Sequence, residues 1–193
     1  ILNGGHAAIA YPAAMLDIHF VHEAMSHALI RGFLQKLEKE EIIPIVPPVP
    51  GTDLNDYFSL IQERFSNPDI GDTIPRLCQD GSNRQPKFIL PSIRDRLIQK
   101  LDVRGLALES ALWCRYCCGE SESGKPIFLD NYNSERLRKT AQEARWNPNV
   151  FLGLQDIFGD LGRHPVFRER FSETLESLWS DGVEKTLESY LLL

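Results

Sequence analysis

Apolar residues recur every three or four positions along this chain, and over no length do they alternate with period two. That spacing builds amphipathic helices and supplies no half-buried strand to a sheet. In "LIRGFLQKLEKEEI", Leu29, Ile30, Phe33, Leu34, Leu37 and Ile42 share one stripe with charge opposite, and Pro44 ends it. "VPPVPG" is a rigid connection, too rich in proline for a helix or a central strand. In "TDLNDYFSLIQERFSNPD", Thr52 or Asp53 can cap a helix whose face carries Leu54, Tyr57, Phe58, Ile61 and Phe65. "LPSIRDRLIQKL" offers Ser92 as N-cap with Asp95 in a capping box, and a stripe of Ile93, Leu97, Ile98 and Leu101.

The later segments read the same way. "VRGLALESALWCRYCCG" is an amphipathic helix, the most apolar of the set and the central one. "ESESGKPIFLDN" is polar, then briefly extended, then turn. "SERLRKTAQEARW" is a charged surface helix. In "HPVFRERFSETLESLW", Phe167, Phe171, Leu175 and Leu178 line up at helical spacing, and Gly182 separates it from "VEKTLESYLLL". The periodicity predicts a mainly α fold of about eight to eleven helices with few or no strands, its core around Phe58, Trp113, Phe167 and Phe171.

Composition narrows the function classes. The 193 residues, 42% hydrophobic, suffice for one domain with its own core, either whole or cut from a larger chain. A net charge of -6 argues against a nucleic-acid partner, which needs clustered Lys and Arg. No apolar run is long enough to span a membrane, and no signal peptide is visible. Cys78, Cys114, Cys117 and Cys118 include one C-x-x-C with no second pair and no nearby His, so buried free thiols are the expectation, in keeping with a reducing cytoplasm. No glycine-rich nucleotide fingerprint is present.

A histidine-rich stretch and two polar constellations stand out from the apolar pattern. "HEAMSH" looks like a zinc motif but spaces His22 and His27 five apart, about 140° around a helix, rather than the four that H-E-x-x-H requires. His19 and His22, or His19 and Glu23, can still share a face. At the start, "LNGGHAAIAY" puts Asn3 and His6 about 60° apart on a helix, beside the electropositive first turn and ahead of residues small enough for a substrate to approach. Asn3 can equally be an ordinary N-cap. The second constellation, "IPRLCQDGSNRQPKFILP", sets Arg76, Arg84 and Lys87 in what reads as a short helix or strand end and an irregular loop: a surface patch, or cations that hold a polar or anionic ligand.

These stretches carry a resemblance. "LNGGHAAIAY", "VHEAM", "EEIIPIVPPVPGTDLNDY", "ERFSNPDIGDTI", "RLCQDGSNRQPKF" and "FGDLGRHPVF" occur in the order found in the C-terminal domain of the long-chain polyol dehydrogenases, the mannitol dehydrogenase family. The resemblance implies a multi-helical domain of the 6-phosphogluconate-dehydrogenase-like kind spanning residues 1–193, preceded in the parent enzyme by a Rossmann domain that binds NAD or NADP. It implies a catalytic K-x-x-x-x-N-x-x-H signature whose Lys, five residues before Asn3, lies outside this sequence. That Lys is the family's general base, with no metal required. Asn3 would hydrogen-bond the reacting oxygen and His6 would orient the neighbouring ones.

Arg76 and Arg84 match the family's basic substrate-binding positions. Arg84 departs from the pattern, since relatives carry "GSSK" where this chain has "GSNR". The implied reaction is oxidation of a secondary alcohol of a linear polyol to a ketose, mannitol to fructose being the type. The alternatives are a hexuronate reductase of the same family, to which Arg84 and Lys87 would offer a carboxylate site, and a helical interaction module without catalytic role. The implied parent is cytoplasmic and monomeric, with a polyol or ketose substrate and its own Rossmann domain as partners.

Overall fold

The computed structural model describes all of residues 1–193, and it is helical throughout. The first half contains α1 (Leu2–Met15), α2 (Val21–Ser26), α3 (Ala28–Lys36), α4 (Leu54–Ser66), α5 (Ile74–Cys78) and α6 (Gly81–Arg84). The second contains α7 (Leu90–Ile98), α8 (Arg104–Cys117), α9 (Ser134–Ala144), α10 (Asn149–Leu152), α11 (Gln155–Phe158), α12 (Pro165–Ser180) and α13 (Gly182–Leu191). Two π-helical turns, Leu37–Ile42 and Gln85–Ile89, extend α3 and lead into α7. The thirteen segments exceed the expected eight to eleven because five of them have six residues or fewer. No helix is long and apolar enough to cross a membrane.

α8 is the axis. It packs on α12 and α1, with α9 and α7 at its flanks, and α1 packs in turn on α5 and α3. The central position predicted for α8 is correct, but its amphipathic reading is not: residues Gly105 through Cys117 are all buried, Glu109 and Arg115 included. A helix surrounded on every side has no solvent face for polar residues to mark. Its Trp113 stacks edge-on against Phe151 at 5.1 Å, and Phe158, Phe167 and Phe171 continue that aromatic cluster. Phe58, Trp113, Phe167 and Phe171 are all fully buried, as expected. All four cysteines are buried and free, and burial raises every thiol pKa, Cys118 to about 11.

Asp53 is the cap of α4, its carboxylate accepting from the N–H groups of Asn55 (2.7 Å) and Asp56 (3.1 Å). Tyr57 on that helix is exposed, unlike the rest of its predicted stripe. Ser92 caps nothing. The π-helical turn before α7 is already helical, so the chain enters α7 at Leu90 without the extended residue that a capping box needs. Ile98 and Leu101 are also exposed. Helix α7 stops at Ile98, and Lys100 adopts φ +58, which turns the chain off the buried face. The segment 119–131 contains only an isolated bridge, Glu120 with Pro126.

Glu41, from the first π-helical turn, serves α8 as a cap supplied from a distance. Its carboxylate accepts from the N–H of Gly105 (2.6 Å) and of Leu106 (3.0 Å). Arg96 ties the same turn to the α7–α8 connection by donating to the carbonyls of Glu40 (2.9 Å), Glu41 (3.1 Å) and Asp102 (2.5 Å). The result is a rigid floor beneath α1.

Candidate active site

Small residues let α1 run through the middle of its neighbours. Gly4, Gly5, Ala7, Ala8, Ile9, Ala10, Tyr11, Pro12, Ala13 and Met15 are all buried. In the first two turns, the polar side chains left toward solvent are those of Asn3, exposed, and His6, half-buried. The cap reading of Asn3 fails. Ile1 takes the N-cap position and Asn3 lies inside the first turn.

His6 stacks on Phe65 of α4, ring centroids 4.8 Å apart. Together with His22, Arg64, Asp72 and Arg76 these two rings line a cavity of about 60 Å3. Asp72 is placed by a short bridge between chain segments: the Val21 N–H donates to its carbonyl (3.0 Å) and the Ile74 N–H to that of His19 (2.8 Å). Its carboxylate accepts two bonds from the guanidinium of Arg76, one turn along, the Nε donating at 2.5 Å. This pairing holds Asp72 below the usual carboxylate range. Arg84 is half-buried and its Nη1 donates to the carbonyl of Leu77 (2.8 Å).

Electrostatics fix the state of His6. Burial lowers its pKa to about 4, Asp72 opposes the fall, and Arg76, Arg84 and Arg64 reinforce it. At neutral pH the imidazole is therefore uncharged, with one N–H donor and one acceptor. It can exchange hydrogen bonds with a hydroxyl in both directions. Arg76 also borders a second, open groove of about 610 Å3, with His19, Gln79, Tyr116, Phe128 and Asp130 among its walls.

His6, Arg76 and Arg84 therefore act on one locale, with Asn3 one turn above His6 on the exposed side of α1. Asn3 does not line the small cavity, and Arg84 reaches it through its field rather than by contact. The segment carrying Arg76 and Arg84 is not an irregular loop. It is α5, a tight turn with Asp80 at φ +56, α6, and the π-helical turn into α7. Of the three clustered histidines, His27 leaves to meet Glu184 of α13 at 3.1 Å, while His19, edge-on, and His22, stacked, both pack on Phe20, and His19 also lines the groove.

Asp72 escaped the sequence reading, although its spacing of four from Arg76 was the available signal. Gly81, which opens α6, is a second such residue. A Cβ there would stand 2.5 Å from Trp113 Nε1 and 3.0 Å from Tyr11 Oη, both on fully buried side chains. Gly81→Ala is expected to destabilise the domain by about 2 kcal/mol, read by urea denaturation, because neither ring has room to retreat. An unchanged midpoint would show the packing to be looser.

Comparison with known proteins identifies the family. Residues 1–179 match the family model described as the mannitol dehydrogenase C-terminal domain. A mannitol 2-dehydrogenase from Cereibacter sphaeroides is 51% identical over 191 residues, 99% of this chain and 40% of that protein. One from Aspergillus terreus is 36% identical over 192 residues, 99% of this chain and 38% of that protein. Among solved structures, Pseudomonas fluorescens mannitol 2-dehydrogenase in ternary complex with NAD and D-mannitol superposes with a TM-score of 0.95 at 31% identity. It covers 100% of this chain and 39% of its own. A substrate-free D-sorbitol dehydrogenase shares the fold, with a TM-score of 0.87 at 20% identity over 97% of this chain and 39% of its own. The chain thus spans about 40% of the length of the relatives it matches. It belongs to the mannitol dehydrogenase family, as that family's helical C-terminal domain.

Proposed function

We propose that residues 1–193 are the substrate-binding domain of a two-domain, NAD-dependent polyol dehydrogenase, which interconverts a secondary alcohol of a linear hexitol and the corresponding ketose, D-mannitol and fructose first. The observation that carries this reading is the uncharged His6 beside the Arg76–Asp72 pair, in a chain that superposes on a relative solved with NAD and D-mannitol. The domain has no strand and no glycine-rich strand-to-helix turn, so the nucleotide's cradle belongs to the N-terminal part of the parent. NAD bound there supplies the hydride acceptor.

This chain's residues do the rest of the substrate work. The amide of Asn3 donates to the reacting oxygen as negative charge grows on it. The neutral imidazole of His6 accepts from one hydroxyl and donates to another, which fixes which carbon faces the cofactor. Arg84, near His6 but outside its small cavity, offers further donors where the polyol extends beyond that cavity. The proton leaves to the general-base Lys that the family signature places five residues before Asn3. No step calls on a metal.

The charge arrangement favours a polyol over a hexuronate. Arg76 is already compensated by Asp72, so a carboxylate gains little there, whereas hydroxyls can use both groups. With the full-length parent, kcat/KM for D-mannitol is expected to exceed that for D-mannonate by about 10²-fold. His6→Ala is expected to raise the KM for D-mannitol about tenfold and to lower kcat/KM by about 10²-fold. Steady-state kinetics decide both. A preference for the hexonate would replace the polyol reading, and an unaffected KM would remove His6 from the substrate.

A further inference from the structure

Helix α8 grips the short helix that carries Arg84 at both ends. Glu109 and Trp113 are one turn apart on α8 and share a face. At the start of α6, the Trp113 indole nitrogen and the Tyr11 hydroxyl close over Gly81. At its end, the residue after Arg84 is Gln85, and the Gln85 Nε2–H donates to Glu109 Oε1 at 2.6 Å. Gln85 and Glu109 are 1% and 0% exposed.

Each of these two side chains keeps one oxygen without a partner, Gln85 Oε1 and Glu109 Oε2. A buried unpaired oxygen is costly. A proton on Glu109 spares the interior a buried charge. It makes Oε2 a donor, and the acceptor still open on the amide that Glu109 already binds is Gln85 Oε1. Burial, opposed by Gln85 and Ser110, raises the Glu109 carboxyl to about 8, so the proton stays on at neutral pH. An apolar residue at this buried point of α8 would pack as well but would leave the Gln85 amide unpaired.

We infer that Glu109 is a positioning residue for substrate binding: through Gln85 it fixes the α6 end from which the Arg84 guanidinium is held against the Leu77 carbonyl. The inference rests on the reading of Arg84 as a substrate-binding residue. A bidentate fork in place of the family's usual Lys works only if its plane is held, whereas a point charge tolerates rotation. The buried acid–amide pair supplies that hold.

The test uses the full-length parent, with D-mannitol kinetics, NAD titration and thermal unfolding of every variant. Glu109→Leu is expected to raise the KM for D-mannitol about tenfold, with kcat within about threefold and NAD affinity unchanged. Glu109→Gln restores the KM, because its amide offers Gln85 the same acceptor and adds the donor. Gln85→Leu cuts the link from the other side, so it reads the same effect if Glu109→Leu does not fold. In an Arg84→Ala background neither Leu variant raises the KM further. If Arg84→Ala raises the KM but Gln85→Leu does not, or if Glu109→Gln fails to rescue, the positioning role is wrong and the function stands. If Arg84→Ala leaves the KM unchanged, the substrate role of Arg84 falls first.

Discussion

Asn3→Ala in the full-length parent is expected to lower turnover with D-mannitol by about 10²- to 10³-fold while NAD affinity barely changes. The motive is positional. Helix α1 is buried almost all round, and a polar side chain left exposed in its first turn has no structural task. Asn3 lies inside α1 and its side chain makes no hydrogen bond within the domain. Removing the amide therefore costs the fold nothing. Ala is the better helix former, by about 0.5 kcal/mol, so the variant is expected to melt at or slightly above the parent's temperature. Lost turnover with unimpaired stability is the combination that a catalytic hydrogen bond predicts. Turnover within tenfold of the parent would take Asn3 out of the reaction, and an earlier melt would restore a structural role.

Apolar periodicity made the helices legible, because stripes such as Phe58–Ile61–Phe65 and Phe167–Phe171–Leu175–Leu178 have one physical use. It failed where the surroundings, not the helix, decide exposure. Leu101 continues a stripe on paper, but the chain turns away at Lys100 before it can be buried, and Ile98, five residues after the buried Ile93, points off that face of α7. The segment 79–89 looked irregular because Gly81 and Pro86 are helix breakers in isolation. Here Gly81 is required by the Trp113 and Tyr11 side chains above it, and Pro86 falls at the start of a π-helical turn. The polar constellations marked Asn3, His6, Arg76 and Arg84, and the family resemblance supplied their roles. What they do electrostatically depends on Asp72 and on Arg64 of α4, whose neighbour Phe65 stacks on His6, and the fold brings both stretches against α1. The buried acids were the least visible. "LEKEEI" reads as a charged outer face, yet the widened π turn rotates Glu38 and Glu41 inward with Leu37 and Ile42.

Those acids give the isolated domain an unusual pH dependence: its stability is expected to be highest near pH 4.5 and to fall toward pH 8.5. Burial is the first cause in each case. Glu38 lies against Gly4 and Gly5 of α1 with neither oxygen hydrogen-bonded, and its pKa rises from 4.5 to about 8, the Ile1 amine opposing the rise. Glu109 also rises to about 8, and Glu41 to about 7 despite its two backbone donors. A carboxyl raised on folding binds its proton more tightly in the native state. Its stabilising contribution is complete below the unfolded value of 4.5 and is lost as pH climbs through the folded value. His6 works at the other edge, since its value falls from 6.5 to about 4, so the fold loses stability as pH drops through that range. From pH 4.5 upward the three carboxyls outweigh the one imidazole, which puts the maximum near pH 4.5. One carboxyl displaced by about three pH units is worth roughly 4 kcal/mol, and water reaching the ionised groups reduces the sum of the three. A net loss of about 4 kcal/mol is a large share of a typical domain's 5–15 kcal/mol, and it lowers Tm by about 10 °C between pH 5.5 and 8.5. Calorimetry of the 193-residue domain measures it directly. Glu38→Gln, which cannot ionise, is expected to leave Tm near the parent's at pH 5.5 and raise it at pH 8.5. A Tm that holds or climbs up to pH 8.5 in the parent would mean that these carboxyls are ionised in the fold, each with a partner that compensates its charge.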